Sequence, residues 1–134
     1  MIGKIVKLER HGDDRGDLIA IEAFSDVVDF EIKRVYYLFD TSCGVVRGLH
    51  AHKNLKQLLV CVSGSCKVCL DDGDTREIIY LDQPDKGLII KNDIWREMSD
   101  FSKGAVLLVL ASEHYNEEDY IRNYDEFLKF IGKK

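Results

Sequence analysis

The sequence predicts an all-β domain folded as a sandwich or closed barrel, with one helix at its C-terminus. Three observations carry that expectation. Val and Ile together number 23 whereas Ala numbers 5; branched side chains suit a pleated, half-buried surface, and Ala is what helical proteins accumulate. Between residues 18 and 111, short apolar runs alternate with turn signals and no helical period intervenes, the spacing of strands in a sandwich or barrel. Beyond residue 116 the apolar period lengthens to that of a helix.

Residues 18–24 and 30–39 (FEIKRVYYLF) read as strands, followed by 45–52 and 56–62. Ser63-Gly64-Ser65 turns the chain into 66–70, and Asp71-Asp72-Gly73-Asp74 turns it into 76–81, since Gly, Asp and Ser supply the backbone conformations and local hydrogen bonds of tight turns. Gln83-Pro84-Asp85-Lys86-Gly87 interrupts the pattern before 88–90, and 95–98 and 105–111 complete the series. Closure into a barrel removes exposed strand edges. Residues 1–8 are also strand-rich and are available to a neighbouring copy's sheet. At the other end Asn116 can cap a helix over about 117–131, with Glu117, Glu118 and Asp119 in its first turn and Lys129, Lys133 and Lys134 at its far end. Tyr120, Tyr124, Phe127, Leu128 and Ile131 form its apolar stripe, which packs on the outside of the barrel. Without a repeat, linker or low-complexity segment, residues 1–134 read as one domain, the barrel occupying about 18–111.

A chain of 134 residues, 46% hydrophobic and 32% charged, buries roughly 65–70% of its unfolded surface and is not disordered. Its net charge of −5 disfavours a nucleic-acid polymer as partner. No apolar run approaches the roughly 20 residues of a membrane helix, and the opening Met1-Ile2-Gly3-Lys4 lacks the pattern of an export signal. A cytoplasmic domain is expected. In that compartment Cys43, Cys61, Cys66 and Cys69 are expected as packed thiols. Cys66 and Cys69 have CxxC spacing, but residues three apart on a strand face opposite sides of the sheet.

The informative stretch is residues 44–64, GVVRGLHAHKNLKQLLVCVSG. His50 and His52, two apart on a strand, aim at one face. Buried imidazoles need partners, and two with parallel aim point to a pocket rather than to packing. Residues 33–56 carry Lys33, Arg34, Arg47, Lys53 and Lys56 against the single acid Asp40, a local charge of +4. Lys53 and Lys56 suit a solvated face; Arg34 and Arg47 lie in strands, where their planar forks match phosphate oxygens. Strand alternation turns Arg47 away from His50 and His52 unless Gly48 introduces a bulge.

The spacing Gly44-x5-His50-x-His52-x4-Gln57-x6-Gly64 resembles the first cupin motif, with Gln in place of Glu. Residues 91–96, KNDIWR, stand where the second motif ends in His, so Arg96 takes that place. The resemblance implies a jelly-roll β-barrel. Of the four positions that bind metal in metallo-cupins, this chain keeps His50 and His52 but offers neutral Gln57 and cationic Arg96. A guanidinium cannot give up its proton, so a metal-free pocket is expected, with a site adapted to Gln as the alternative. No cofactor is expected.

More widely, the chain resembles the dTDP-4-keto-6-deoxyhexose 3,4-ketoisomerases, through Asp14-Arg15-Gly16-Asp17-Leu18, Ile32-Lys33-Arg34-Val35-Tyr36-Tyr37, Arg47-Gly48-Leu49-His50-Ala51-His52, Val60-Cys61-Val62-Ser63-Gly64, Trp95-Arg96-Glu97-Met98, Leu110-Ala111-Ser112 and Asp119-Tyr120-Ile121-Arg122. The resemblance implies a homodimeric barrel that moves the carbonyl of a dTDP-linked 4-keto-6-deoxy sugar from C4 to C3 for deoxy amino-sugar synthesis. It also implies Arg15 as a substrate-binding residue. Imidazole suits such a reaction because it both accepts and donates protons near neutral pH. His50 is expected as base with His52 as partner, or the reverse. Arg96 is expected to stabilise the enediolate, or else to form a salt bridge to Asp93 or in the neighbourhood of Glu97. Tyr36 is the candidate auxiliary acid, and Arg34, Arg47 and Gln57 the candidate binding residues. The alternatives are an epimerase of the same nucleotide sugars and a non-enzymatic cupin that binds a sugar or other small ligand.

Overall fold

The computed structural model describes residues 1–42 and 44–132; Cys43, Lys133 and Lys134, assigned above to packed thiols and the helix end, lie outside them. Strands are numbered in chain order. One five-stranded antiparallel sheet runs β1 (Lys4–Lys7), β9 (Lys86–Ile90), β6 (Gln57–Ser63), β11 (Val106–Ala111), β4 (Arg34–Leu38). The other runs β12 (Tyr120–Ile121), β5 (Arg47–His52), β10 (Trp95–Ser99), β7 (Cys66–Asp71), β8 (Arg76–Leu81). A separate hairpin pairs β2 (His11–Asp13) with β3 (Gly16–Leu18). This is the jelly-roll barrel that the strand spacing and the cupin-like motif predict.

Alternation along the strands builds the layers. On β6, Leu59 and Cys61 face inward, joining Val68, Leu70, Leu88, Leu107 and Val109 in the interior. Leu58 and Val60 face outward, yet they too are buried, beneath Leu8, Val28 and Phe30. A strand covered on both faces reads as a continuous apolar run, as LLVCV does. Each fully buried Leu or Val contributes about 1.5–3 kcal/mol relative to exposure. Cys61 and Cys66 lie in the interior, whereas Cys69 is half-buried on the other face, its sulfur 3.7 Å from Arg76 Nη1. The two thiols of the CxxC spacing therefore diverge.

Two segments differ from the sequence reading. Residues 18–24 were expected as a strand, but beyond Leu18 the chain is irregular and lays Ile19 and Ile21 on the outer apolar cluster. The edge beside β9 is taken by β1, Lys4 pairing with Ile89 and Lys7 with Lys86, and β1 is in turn the outer edge of that sheet. The helix expected over 117–131 is divided. Asn116 caps, its side chain accepting from the Glu118 N–H, but it caps a single 3₁₀ turn, Glu117–Asp119. Tyr120 and Ile121 then pair with His52 and Ala51, and α1 (Tyr124–Phe130) starts at a second cap, Asn123. An open strand edge offers backbone partners that outweigh extending a helix of marginal length. Phe127, fully buried, packs α1 against Ala51, Trp95 and Ile121, as the outward-facing stripe predicts. Among the described residues no helix is long and apolar enough to cross a membrane.

Candidate active site

The site is built on β5, where the backbone departs from regular pleat. Arg96 of β10 faces His50, while the next residue, Glu97, faces Gly48, so Leu49 has no partner and the strand bulges. Gly48 has φ +87° and Leu49 φ +55°. A Cβ at Gly48 would sit 3.0 Å from Met98 Sδ and 3.1 Å from the Arg96 carbonyl oxygen, so both the conformation and the close approach require glycine. The bulge shifts the side-chain alternation by one, which brings Arg47 to the same pocket as His50 and resolves the parity difficulty.

His50 and His52 converge as their spacing predicts, Nε2 to Nε2 at 3.1 Å. Beyond them, His50 Nδ1 lies 2.9 Å from the Gly48 carbonyl oxygen, and His52 Nδ1 lies 2.9 Å from Asp119 Oδ2. Asp119 is itself held to the turn after β5: its Oδ1 accepts from the Asn54 N–H at 2.7 Å and its carbonyl from the Lys53 N–H at 3.0 Å. Burial, and after it the positive charge of Arg96, lowers the His50 pKa to about 4. The same two causes, with lesser contributions from His50, Arg34 and Arg122, lower that of His52 to about 2. Both imidazoles are therefore neutral at cell pH, the form that accepts a proton.

Arg96 is fully buried and makes no salt bridge among the described residues; neither Asp93 nor a neighbour of Glu97 pairs with it. Its Nη1 donates to Gln57 Oε1 at 2.5 Å and its Nη2 to the Ile94 carbonyl at 2.8 Å, while Nε has no partner. Gln57 Nε2 in turn donates to the Tyr36 hydroxyl oxygen at 2.9 Å. Desolvation lowers the Arg96 pKa to about 10 and raises that of Tyr36, so at neutral pH the first stays charged and the second keeps its proton. This donor set does not fit a metal ion. Gln57 Oε1 is occupied by a fixed cation, the Asp119 carboxylate is engaged by His52 Nδ1 and the Asn54 N–H, and no cluster of three or more His, Cys, Asp or Glu among the described residues is placed to hold one.

In front of this group lies a pocket of about 340 Å³ lined by Arg34, Arg47 and Arg122 together with Tyr36, His50 and Tyr120. His52, Gln57 and Arg96 stand behind that lining. The pocket thus gathers the two arginines of the cationic segment noted in the sequence, Arg34 and Arg47, with Arg122 added from the C-terminal region. The Tyr120 ring packs at 4.4 Å from the His52 ring and 5.0 Å from that of His50, and its hydroxyl lies 3.4 Å from Arg34 Nη2. Arg122 sits over the Tyr120 ring at 4.3 Å and is fixed by Glu117 through two hydrogen bonds, at 2.7 and 2.9 Å.

Seven of the eight expected site residues come together here: Tyr36, His50, His52 and Arg96, with Arg34, Arg47 and Gln57. Arg15 does not. It lies at the tip of the β2–β3 hairpin, which pairs only with itself, and its guanidinium is exposed and bound to Asp13 at 2.6 Å. Sequence reasoning missed Asp119, Tyr120 and Arg122, because an acidic run after Asn116 reads as a helix start. The available signal was the alternation Asp119-Tyr120-Ile121-Arg122, in which residues 119 and 121 are buried and 120 and 122 less so.

Comparison with known proteins identifies the chain's relatives. A family model described as FdtA: WxcM-like, C-terminal matches residues 1–132. The chain is 50% identical over 133 residues to a TDP-4-oxo-6-deoxy-alpha-D-glucose-3,4-oxoisomerase from Aneurinibacillus thermoaerophilus, covering 99% of this chain and 95% of that protein. It is 56% identical to a TDP-quinovose 3,4-ketoisomerase from Campylobacter jejuni, with TM-score 0.90 over 95% of this chain and 97% of that one. A mutant of the 3,4-ketoisomerase from Thermoanaerobacterium thermosaccharolyticum, solved in complex with TDP-4-keto-6-deoxyglucose, is 44% identical, with TM-score 0.93 over 97% and 94% of the two chains.

Proposed function

The chain belongs to the FdtA, WxcM-like C-terminal family and is a sugar 3,4-ketoisomerase of dTDP-sugar biosynthesis; we propose that it converts dTDP-4-keto-6-deoxyglucose to a dTDP-3-keto-6-deoxyhexose through an enediolate, with the paired histidines moving the proton. The observation that carries this reading is the neutral His50–His52 pair, Nε2 to Nε2 at 3.1 Å, at the wall of a pocket lined by three arginines. Arg34, Arg47 and Arg122 supply the planar forks that a sugar-linked diphosphate takes up.

The chemistry follows from the donors and acceptors present. His50, which lines the pocket, takes the proton from C3. The C3–H pair becomes the C3=C4 double bond, and the C4 carbonyl pair moves onto O4. Because Gln57 donates to the Tyr36 oxygen, the Tyr36 proton is free to point into the pocket and passes to O4. O3–H then returns a proton to Tyr36 as the C3 carbonyl forms, and His50 delivers its proton to C4. Arg96 acts through Gln57 and Tyr36 rather than on the substrate directly: its charge polarises the amide and favours negative charge at the end of that chain. His52 is the partner that shares the proton of His50. A positioned base of this kind contributes on the order of 10²–10⁴ in rate.

Incubation with dTDP-4-keto-6-deoxyglucose in deuterated water, with and without chelator, tests the proposal by NMR. A ketoisomerase gives a C3 carbonyl at the same rate in both; an epimerase leaves the carbonyl at C4, and loss of turnover on chelation overturns the metal-free reading. The resemblance also implies a homodimer. Supporting it, β4 is an edge strand, paired only with β11 among the described residues, with exposed Val35 and Tyr37, Phe39 following at 5.8 Å from the Tyr37 ring. A second copy covering that face predicts a dimer in light scattering that Tyr37→Asp dissociates.

A further inference from the structure

Counting protons along the histidine chain singles out Asp119. Three contacts link four groups: Gly48 carbonyl to His50 Nδ1, His50 Nε2 to His52 Nε2, and His52 Nδ1 to the Asp119 carboxylate, at 2.9, 3.1 and 2.9 Å. Both ends of the chain can only accept. Two neutral imidazoles carry two N–H protons between them, and the two outer contacts use both. The central contact is then left with two facing lone pairs and no proton.

We propose that Asp119 is a positioning residue for the isomerisation: by holding the proton of His52 on Nδ1, it keeps the space between the two Nε2 atoms open for the one proton that the reaction transfers. The inference rests on the reading of His50 as the base. When His50 takes the C3 proton, the missing central hydrogen bond forms, so the conjugate acid is stabilised by His52 and, through it, by the Asp119 carboxylate. The proton is thereby held at the pocket wall between its departure from C3 and its return to C4. The location of Asp119 suits this task. It is buried, 67 residues from His52 along the chain, and its second oxygen is committed to the Asn54 N–H.

That second bond makes Asp119→Asn informative. The amide has one oxygen, which the Asn54 N–H claims, so its NH2 faces His52 Nδ1 and donates to it. His52 must then carry its proton on Nε2 and donate it to His50 Nε2. All three contacts are satisfied in the neutral pair, and no lone pair is left to receive the substrate proton. The variant is therefore expected to fold and to bind dTDP within about twofold of the unmodified chain, with KM changed by less than about threefold and kcat lowered by about 10²–10⁴. A merely structural residue gives the opposite pattern, loss of melting temperature and of binding together.

The second measurement needs no substrate. In protein labelled with 15N at histidine, the ring nitrogen shifts report which nitrogen is protonated: Nδ1 of His52 is expected in the unmodified chain and Nε2 in Asp119→Asn. Turnover of the variant within threefold of the unmodified rate overturns the proposal, and so does an Nε2–H tautomer of His52 in the unmodified chain. If the variant does not fold, the spectrum of the unmodified chain decides alone. Absence of turnover by the unmodified chain instead removes the isomerase reading, leaving the tautomer assignment to stand or fall by itself.

Discussion

Arg96 and Gln57 form a closed pair: Nη1 of the guanidinium donates to the amide oxygen at 2.5 Å, with both residues buried. They stand at the two positions where a metallo-cupin would place its third and fourth ligands. The cation thus sits inside the protein without a carboxylate partner among the described residues, and its field reaches both histidines. A buried unpaired charge is costly, and the proposed role of Arg96 in the site predicts what its removal does.

Replacing Arg96 by Met tests that statement. Activity is expected to fall by about 10²–10³, the scale for removing one preorganised electrostatic donor. Losing the buried charge offsets the roughly 1–3 kcal/mol cost of leaving acceptors on Gln57 and Ile94 unpaired. The melting temperature, followed by circular dichroism, is therefore expected to change little. With the cation gone, the His50 pKa should rise toward its ordinary value, moving the acid limb of kcat/KM to higher pH.

In the unmodified chain that limb should lie near pH 4, because His50 titrates at about 4 rather than 6.5. Stability carries the matching signature. Between about pH 6.5 and 4 the unfolded chain binds protons on both imidazoles while the folded one does not, so stability falls as pH falls. The slope is about 1.4 kcal/mol per pH unit for each imidazole in that window. Above pH 6.5 neither state takes up these protons and the contribution is fully present. Urea titrations at half-unit steps measure the slope; a flat profile from pH 6.5 to 5 would show that the histidines are not held neutral.

Gly48→Ala addresses the bulge. At φ +87°, with a Cβ 3.0 Å from Met98 Sδ, the substitution is expected to destabilise by about 1–3 kcal/mol. Relaxing the bulge returns Arg47 toward the outer face, so dTDP affinity should drop together with stability. Calorimetric titration against dTDP separates the two effects at a temperature where the variant remains folded.

Arg47→Ala leaves the bulge intact and removes only the guanidinium. A charge-assisted hydrogen bond to phosphate is worth about 1.5–3 kcal/mol, so the dissociation constant for dTDP should rise about 10- to 100-fold with kcat little changed. Arg47→Lys should recover only part of this, since a point charge cannot reproduce the fork. An unchanged dissociation constant in Arg47→Ala would remove Arg47 from the binding site.

Much of this site is written in local pattern. His50 and His52 aim together because they are two apart on a strand, and the need for a bulge at Gly48 follows from Arg47 lying an odd number of residues from His50. The divergence of Cys66 and Cys69 is legible for the same reason. The C-terminal region was misread because an acidic turn after an asparagine suits a helix start, and nothing within residues 116–124 announces that the edge of β5 is open beside them.

By itself, then, the sequence determined most of the strands, the paired imidazoles and the cationic segment, and marked Gly48 as the place where a bulge would bring Arg47 round; all of these depend on spacings of a few residues that the geometry of a strand converts into direction. Tertiary structure alone decided that Asp119 meets His52, that Arg96 lies behind Gln57 and reaches Tyr36 through it, that Arg122 joins Arg34 and Arg47, and that Arg15 stays out on its hairpin. Those contacts join residues far apart in the chain. They depend on which strand edges remain free once the sheets close, and no local period carries that information.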